Sequence, residues 1–421
     1  MTTTTSRPSP PELSRRASFG WTLAGRVVYG AAQWGTLGVL AKLGSIEDVG
    51  RFSLGLAVTA PVMVFCNMHL RNLYATDAEH RFSLETFLRV RRVTTLIGVL
   101  VCWVMASSLY AGCAAWVIAG VAAAKAVEMP EDLRHGVFQR YGRMDGFSLS
   151  LMLRAGLGLG ALASVLVLTG DVRWAVAAMG AAWALVWLLH DRPRARRLAA
   201  AHEPSEPGRG SPRALVLMAL PMGLMWLIDS LNQNLPRYAV EAFLGEEALG
   251  FYVPMTYVVT VGSAFVFALG APLAPRLARY VAQRDAAAFA KVGGGLLALA
   301  AALGLMGIAV AATIGDVFLA TAYADSFGRY QPEFVWIMTG GALHFVLALS
   351  MYALTAARYL RTQAALYLSA AVTTGFAAWS WVPTKGLMGA AQASTLGLAV
   401  GATGAVLAIA HAWSRLRRPD V

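Results

Sequence analysis

Charge is what this sequence has least of. Asp, Glu, Lys and Arg together make up 14% of its 421 residues, where an ordinary soluble domain carries about a quarter. With 57% hydrophobic residues, that scarcity excludes a water-soluble enzyme or nucleic-acid-binding module. Cysteine is almost absent. Cys66, Cys102 and Cys113 fit no CxxC or zinc spacing, and their apolar flanks read as small core or lipid-facing side chains. His69, His190, His344 and His411 form no spaced cluster, no Ser-His-Asp arrangement is visible, and no Gly-rich phosphate loop follows a strand. No metal, no cofactor and no bond-making chemistry are expected, so the chain reads as a transporter rather than an enzyme.

What it has in abundance is long apolar runs of the length needed to cross hydrocarbon, about 20 residues each. They fall near 19–43, 52–70, 93–110, 112–129, 146–169 and 172–190, then 214–238, 250–274, 292–314, 334–357, 362–382 and 386–411. The expected fold is an all-α polytopic membrane protein with about 12 transmembrane helices in two six-helix bundles. The bundles are 19–190 and 214–411; 1–18 and 412–421 read as cytoplasmic tails and 191–213, rich in Pro, Gly and alternating charge, as a flexible cytoplasmic linker. Lys and Arg resist translocation, and Arg71, Arg81, Arg89, Arg91, Arg92, Arg134, Arg140, Arg143, Arg276, Arg279 and Arg284 all fall in turns on one side. Both termini are therefore expected in the cytoplasm. The formal charge of +12 then reports topology and attraction to anionic inner-leaflet lipid, not nucleic acid.

Inside the spans a charged side chain costs a few kcal/mol unless it faces protein or water. Arg26, Lys125, Arg154 and Arg237 are the intramembrane cations, and Glu128 and Asp229 the acids. Arg26 and Arg154 share one depth in the inner half, about 10 to 13 Å at 1.5 Å per residue. Gln33 continues a polar stripe on the first helix. Lys125 and Glu128, three apart, satisfy each other most cheaply. A surplus of cations in a membrane favours an anionic ligand, and guanidinium grips phosphate oxygens bidentately. Arg26, Lys125, Arg154, Arg237, Gln33 and Asn234 are the candidate substrate-binding residues; Asp229 and Glu128 are candidates for ion coupling, to protons or sodium, or for gating.

The stretch Asp229 to Tyr252 also echoes an earlier one. Asn234 to Gly245 aligns with Gln33 to Gly44, and after a one-residue gap Gly250-Phe251-Tyr252 falls on Gly50-Arg51-Phe52. A duplicated half would produce such an echo.

Three blocks resemble the Wzx-like polysaccharide flippases of the multidrug/oligosaccharidyl-lipid/polysaccharide (MOP) superfamily. His69-Leu70-Arg71 to Ala75-Thr76-Asp77, with Phe82 and Arg89, is similar to that family's LR-x-x-x-[AV]-[TS]-D connection. Lys125, Glu128, Asp132, Gly136, Gln139, Arg143-Met144-Asp145, Ser150 and Arg154 resemble its K-x-x-E to R-M-D-x-x-x-x-S series. Asn234 to Tyr238, Leu244-Gly245, Leu249-Gly250, Tyr257 and Ala274 to Ala278 form the third. The resemblance implies two bundles around a central cavity and alternating access, in which an undecaprenyl-pyrophosphate-linked oligosaccharide moves from the inner to the outer leaflet of the bacterial plasma membrane. It implies partnership with a polysaccharide polymerase and glycosyltransferases, and a monomer. The competing expectation is a multidrug/toxin-extrusion or major-facilitator antiporter of a small molecule.

Overall fold

The computed structural model describes residues 14–77, 79–203, 208, 210–270 and 273–417. Most of the expected N-terminal tail, Pro272, part of the linker and the last four residues lie outside them. Among the described residues the chain is almost wholly helical and has no strand. In chain order the helices are α1 (Arg15–Leu43), α2 (Ile46–Asn67), α3 (Leu70–Thr76), α4 (Leu84–Leu109), α5 (Gly112–Arg140), α6 (Met144–Thr169) and α7 (Val172–Val186). A π-helical turn, Trp187–Asp191, leads into α8 (Arg192–His202), followed by α9 (Pro212–Gly270), α10 (Ala274–Ala282), α11 (Ala286–Ala322), α12 (Gln331–Ala356) and α13 (Leu360–Arg417).

Nine described helices are long and apolar enough to cross a membrane, so the chain is a multi-pass membrane protein. The face of α4 carrying Val93, Leu96, Leu100, Trp103 and Val104 is exposed, as a lipid-facing surface must be. Helix ends run well past the apolar runs. α4 starts at Leu84, where the Ser83 side chain accepts a hydrogen bond from Thr86 N, and α5 continues through Pro130 to Arg140. The linker segment opens as a helix, α8, where its composition reads as flexible chain.

Two long helices double back at glycine. Gly245 adopts φ 83° and ψ −177°, and Gly386 φ 62° and ψ −142°, regions that side chains beyond glycine rarely enter. Straight helix would separate Arg237 from Thr256 by about 28 Å, yet Arg237 Nη2 donates to Thr256 Oγ1 at 3.3 Å. In α13 a Cβ on Gly389 would collide with the Trp381 carbonyl, one on Gly397 with Thr374 and one on Gly404 with Leu366, while one on Gly401 would lie close against Ala370. Positions rise on one half as they fall on the other, so the halves pack antiparallel through small residues.

The chain divides into two compact units. The first takes in residues up to Gln33, Val62–Ala111 and Ala119–Leu224. Its main core joins Tyr74, Phe87, Leu133, Phe147, Leu151 and Leu215, and a second cluster packs Cys66 and Cys102 against Met63 and Met129. Both cysteines are thus small core side chains, as their flanks indicate. The second unit comprises Trp34–Pro61, Gly112–Ile118 and Met225–Val421. There α12 is the central element: it packs on α11 through Gly304 and Ala342, on α13 through Gly340 and Thr395, and on α9 through Gly341 and Val259.

Within this second unit the echoed glycines meet. A Cβ on Gly50 would collide with the carbonyl of Glu246, and one on Gly250 with the carbonyl of Ile46. Each glycine faces the backbone four residues ahead of its counterpart, the reciprocal pattern of a two-fold contact. Arg51 reinforces it by reaching Glu246 at 2.9 Å and Asp48 at 3.1 Å. Gly50→Ala and Gly250→Ala should each lower stability by about 1–3 kcal/mol in thermal unfolding in detergent, because a backbone carbonyl cannot swing aside. Gly30→Ala, with nothing within 4 Å of its Cβ position, should be neutral. A Gly250→Ala protein as stable as wild type would refute the close contact.

Candidate functional site

The polar side chains of the first unit form one continuous ladder across α5 and α6. Lys125 and Glu128 lie three apart on α5, and Lys125 Nζ meets Glu128 Oε2 at 2.6 Å, the pairing their spacing implies. The other Glu128 oxygen is 3.1 Å from Arg154 Nη2, while Arg154 Nη1 donates to Glu131 Oε2 at 3.0 Å. The guanidinium also lies 4.1 Å from the Trp183 ring of α7 and 5.2 Å from the Tyr29 ring of α1. Arg154 is only 2% exposed. Two carboxylates and two aromatic faces supply the compensation that a buried guanidinium needs, and the residue joins four helices.

The ladder continues in residues whose role the sequence does not show. Around Ser150 Oγ stand His135 Nε2 at 2.9 Å, Asp191 Oδ2 at 3.0 Å and Glu131 Oε1 at 3.2 Å. His190 Nδ1 lies 2.8 Å from Asp191 Oδ1. Ser150, Glu131 and Asp191 are fully buried. The π-helical turn is what brings Asp191 here, since it adds a residue to the helical repeat and turns the side chain inward. His135, which the sequence does not single out, sits between Ser150 and Glu131, and His190 pairs with Asp191, across sequence gaps that no motif spans.

The neighbouring polar group is structural. Asp132 receives Arg71 at 3.3 Å and the fully buried Arg91 at 3.6 Å, and Asn67 Nδ2 donates to it at 3.3 Å. Gly136 lets Arg71 and Tyr74 approach. The Asp77 carboxylate accepts from the backbone of Arg81 and Phe82, and Arg143 forks onto Asp145. Residues of the first two resemblance blocks thus hold α3, α4, α5 and α6 together.

Of the other candidates, Arg26 has an exposed side chain on α1, three residues before Tyr29, and Gln33 is half-buried. In the second unit Gln233 Nε2 donates to Asp229 Oδ2 at 2.9 Å. Arg237 is half-buried and donates to Asn234 Oδ1 at 3.1 Å; Asn234 itself donates to the Ser230 carbonyl at 2.7 Å. The structure therefore brings Lys125, Glu128 and Arg154 together in the first unit, and Asn234 and Arg237 in the second.

Removing the arginine tests the ladder. Arg154→Leu strands the fully buried Glu131 carboxylate and takes one of two cationic partners from the half-buried Glu128, and should cost about 3–5 kcal/mol in thermal unfolding. Arg154→Leu with Glu131→Leu should recover part of that loss, a positive coupling in a double-mutant cycle. Strictly additive losses would show that the two side chains do not depend on each other.

No family model matches the chain. A capsular polysaccharide biosynthesis protein, CapF of Staphylococcus aureus, is 18% identical over 79% of this chain and 82% of its own length. Among solved structures, the lipid II flippase MurJ in an inward closed conformation superposes with a TM-score of 0.68 over 94% of this chain and 89% of its own, at 9% identity. An outward-facing multidrug resistance MATE family transporter of the MOP superfamily superposes with a TM-score of 0.67 over 96% and 97%, at 14% identity. The chain has the fold of these transporters.

Proposed function

We propose that the chain is a flippase carrying an undecaprenyl-pyrophosphate-linked oligosaccharide, a polysaccharide repeat unit, from the inner to the outer leaflet of a bacterial plasma membrane by alternating access. The fold shared with a lipid II flippase and the capsular relative support this reading. The observation that carries it is the division of labour between two guanidiniums. Arg154 is buried and committed to Glu128 and Glu131, which leaves it little capacity for a ligand. Arg26 is exposed on an apolar helix, where its guanidinium is within reach of a headgroup. Guanidinium grips phosphate oxygens bidentately, which suits a pyrophosphate headgroup. Arg154 contributes by position: it stacks on Tyr29, one turn beyond Arg26 on α1, and so fixes the turn that presents Arg26.

In this reading the pyrophosphate meets Arg26 first, the sugar occupies the polar interior, and the lipid tail stays in the bilayer. Asn234 and Arg237 form the matching polar pair of the second unit. The cargo is made by glycosyltransferases and handed to a polymerase, the transporter acts as a monomer, and a proton or sodium gradient drives the cycle.

The test is transport by the purified chain in liposomes with undecaprenyl-pyrophosphate oligosaccharide confined to one leaflet. Arg26→Ala should slow flipping by about 10- to 100-fold, the loss of one charge-assisted contact, while Arg26→Lys keeps part of the rate. Wild-type rates in Arg26→Ala would remove Arg26 from the site. Failure to flip any lipid-linked glycan, with export of a cationic dye instead, would move the chain to the drug extruders.

A further inference from the structure

The nest around Ser150 is one proton short. A hydroxyl has a single hydrogen, yet Ser150 Oγ faces two carboxylate oxygens, Glu131 Oε1 at 3.2 Å and Asp191 Oδ2 at 3.0 Å. His135 Nε2 at 2.9 Å donates to the hydroxyl oxygen in either the neutral Nε2–H form or the imidazolium. That arrangement leaves Ser150 able to donate to one carboxylate only. The other then points its lone pair at an oxygen lone pair in a place bulk water does not reach, since Glu131, Asp191 and Ser150 are all fully buried. Protonating His190 does not mend this contact, because its Nδ1 already serves the far oxygen of Asp191 at 2.8 Å.

The charges agree. Glu128, Glu131 and Asp191 are linked to Lys125 and Arg154 alone within the ladder, which leaves one negative charge with the histidines neutral. Tyr29 of α1 and Trp183 of α7 lie against Arg154, Asp132 and Arg71 act on His135 through space, and Arg134, beside Arg192, acts on Asp191. The donor atoms of Glu131, His135 and Asp191 lie within 4.8 Å of one another, a spacing a metal ion could bridge. The Ser150 hydroxyl stands among them, however, and a divalent ion would overshoot neutrality beside the Arg154 guanidinium.

We infer that Glu131 and Asp191 share one dissociable proton, seated at Ser150, and that its presence decides how firmly Glu131 holds Arg154. With the proton on Glu131, Arg154 keeps a single anionic partner, Glu128, and its stacking on Tyr29 is no longer braced from both sides. With the proton gone, both carboxylates hold the guanidinium. The site stands apart from the flippase reading, because it depends on no cargo.

The experiment is pH-difference infrared spectroscopy of the purified full-length chain in liposomes, without substrate. Acidification should produce the carbonyl stretch of a protonated, buried carboxyl, and the wild-type minus variant difference should show that band lost in Glu131→Gln or in Asp191→Asn. No such band in wild type overturns the inference whether or not either variant folds. A band that survives in both variants overturns it as well. So does zinc or manganese that copurifies with wild type and is lost from Glu131→Gln, which would make the nest a metal site.

Discussion

A charge has almost nowhere to go inside a bilayer, and the guanidinium of Arg154 shows how this chain accommodates one. It is divided between Glu128 and Glu131 and lies over the rings of Tyr29 and Trp183. Because those four partners come from α1, α5 and α7 while the arginine comes from α6, satisfying one cation fixes the mutual placement of four helices. The packing of the first unit then follows. Gly25 brings α1 against Ser148 of α6, where a Cβ would lie 2.7 Å from the serine Cβ, and Gly120 brings α5 against Val176 of α7. Burial of this kind is weak evidence for stability, and a helix shifted out of this register would leave the arginine without these partners.

The helices were legible because hydropathy is dictated by lipid, and lipid is uniform. Their ends were not. Hydropathy marks where a helix leaves hydrocarbon, whereas the backbone goes on making i to i−4 hydrogen bonds into polar sequence wherever a cap or tertiary contact supports it, as Ser83 does for α4. That gap hid the Ser150 nest. Ending the fourth span near 129 placed Glu131 and His135 in a loop, although Glu128, Glu131 and His135 continue Lys125 at three- and four-residue spacing on one face of α5. Asp191 was hidden twice over, by the linker composition that follows it and by a π-helical turn no pattern announces. Lys125 and Glu128 were legible because their pairing is local; Glu131 and Arg154, 23 residues apart, were not.

The motif resemblance and the structure also say different things about the same residues. A short series that identifies a family is read most easily as its ligand site, yet here Asp132, Gly136, Arg143, Asp145 and Ser150 bind one another or neighbouring helices. Membrane folds have few ways to satisfy polar groups, and the combinations that succeed are as recognisable as a binding motif. The exposed Arg26 belongs to none of the resemblance blocks.

The paired contact of Gly50 and Gly250 has a bearing on ancestry. Its closest approaches are to main chain, each glycine lying against a carbonyl of the opposing segment, so it depends little on side-chain identity. Two halves descended from one gene could therefore drift apart at nearly every surrounding residue and still dock in the old way, provided that neither glycine acquired a methyl group. The brevity of the internal echo follows from this: what survives of the likeness between the halves is concentrated where bare backbone touches bare backbone.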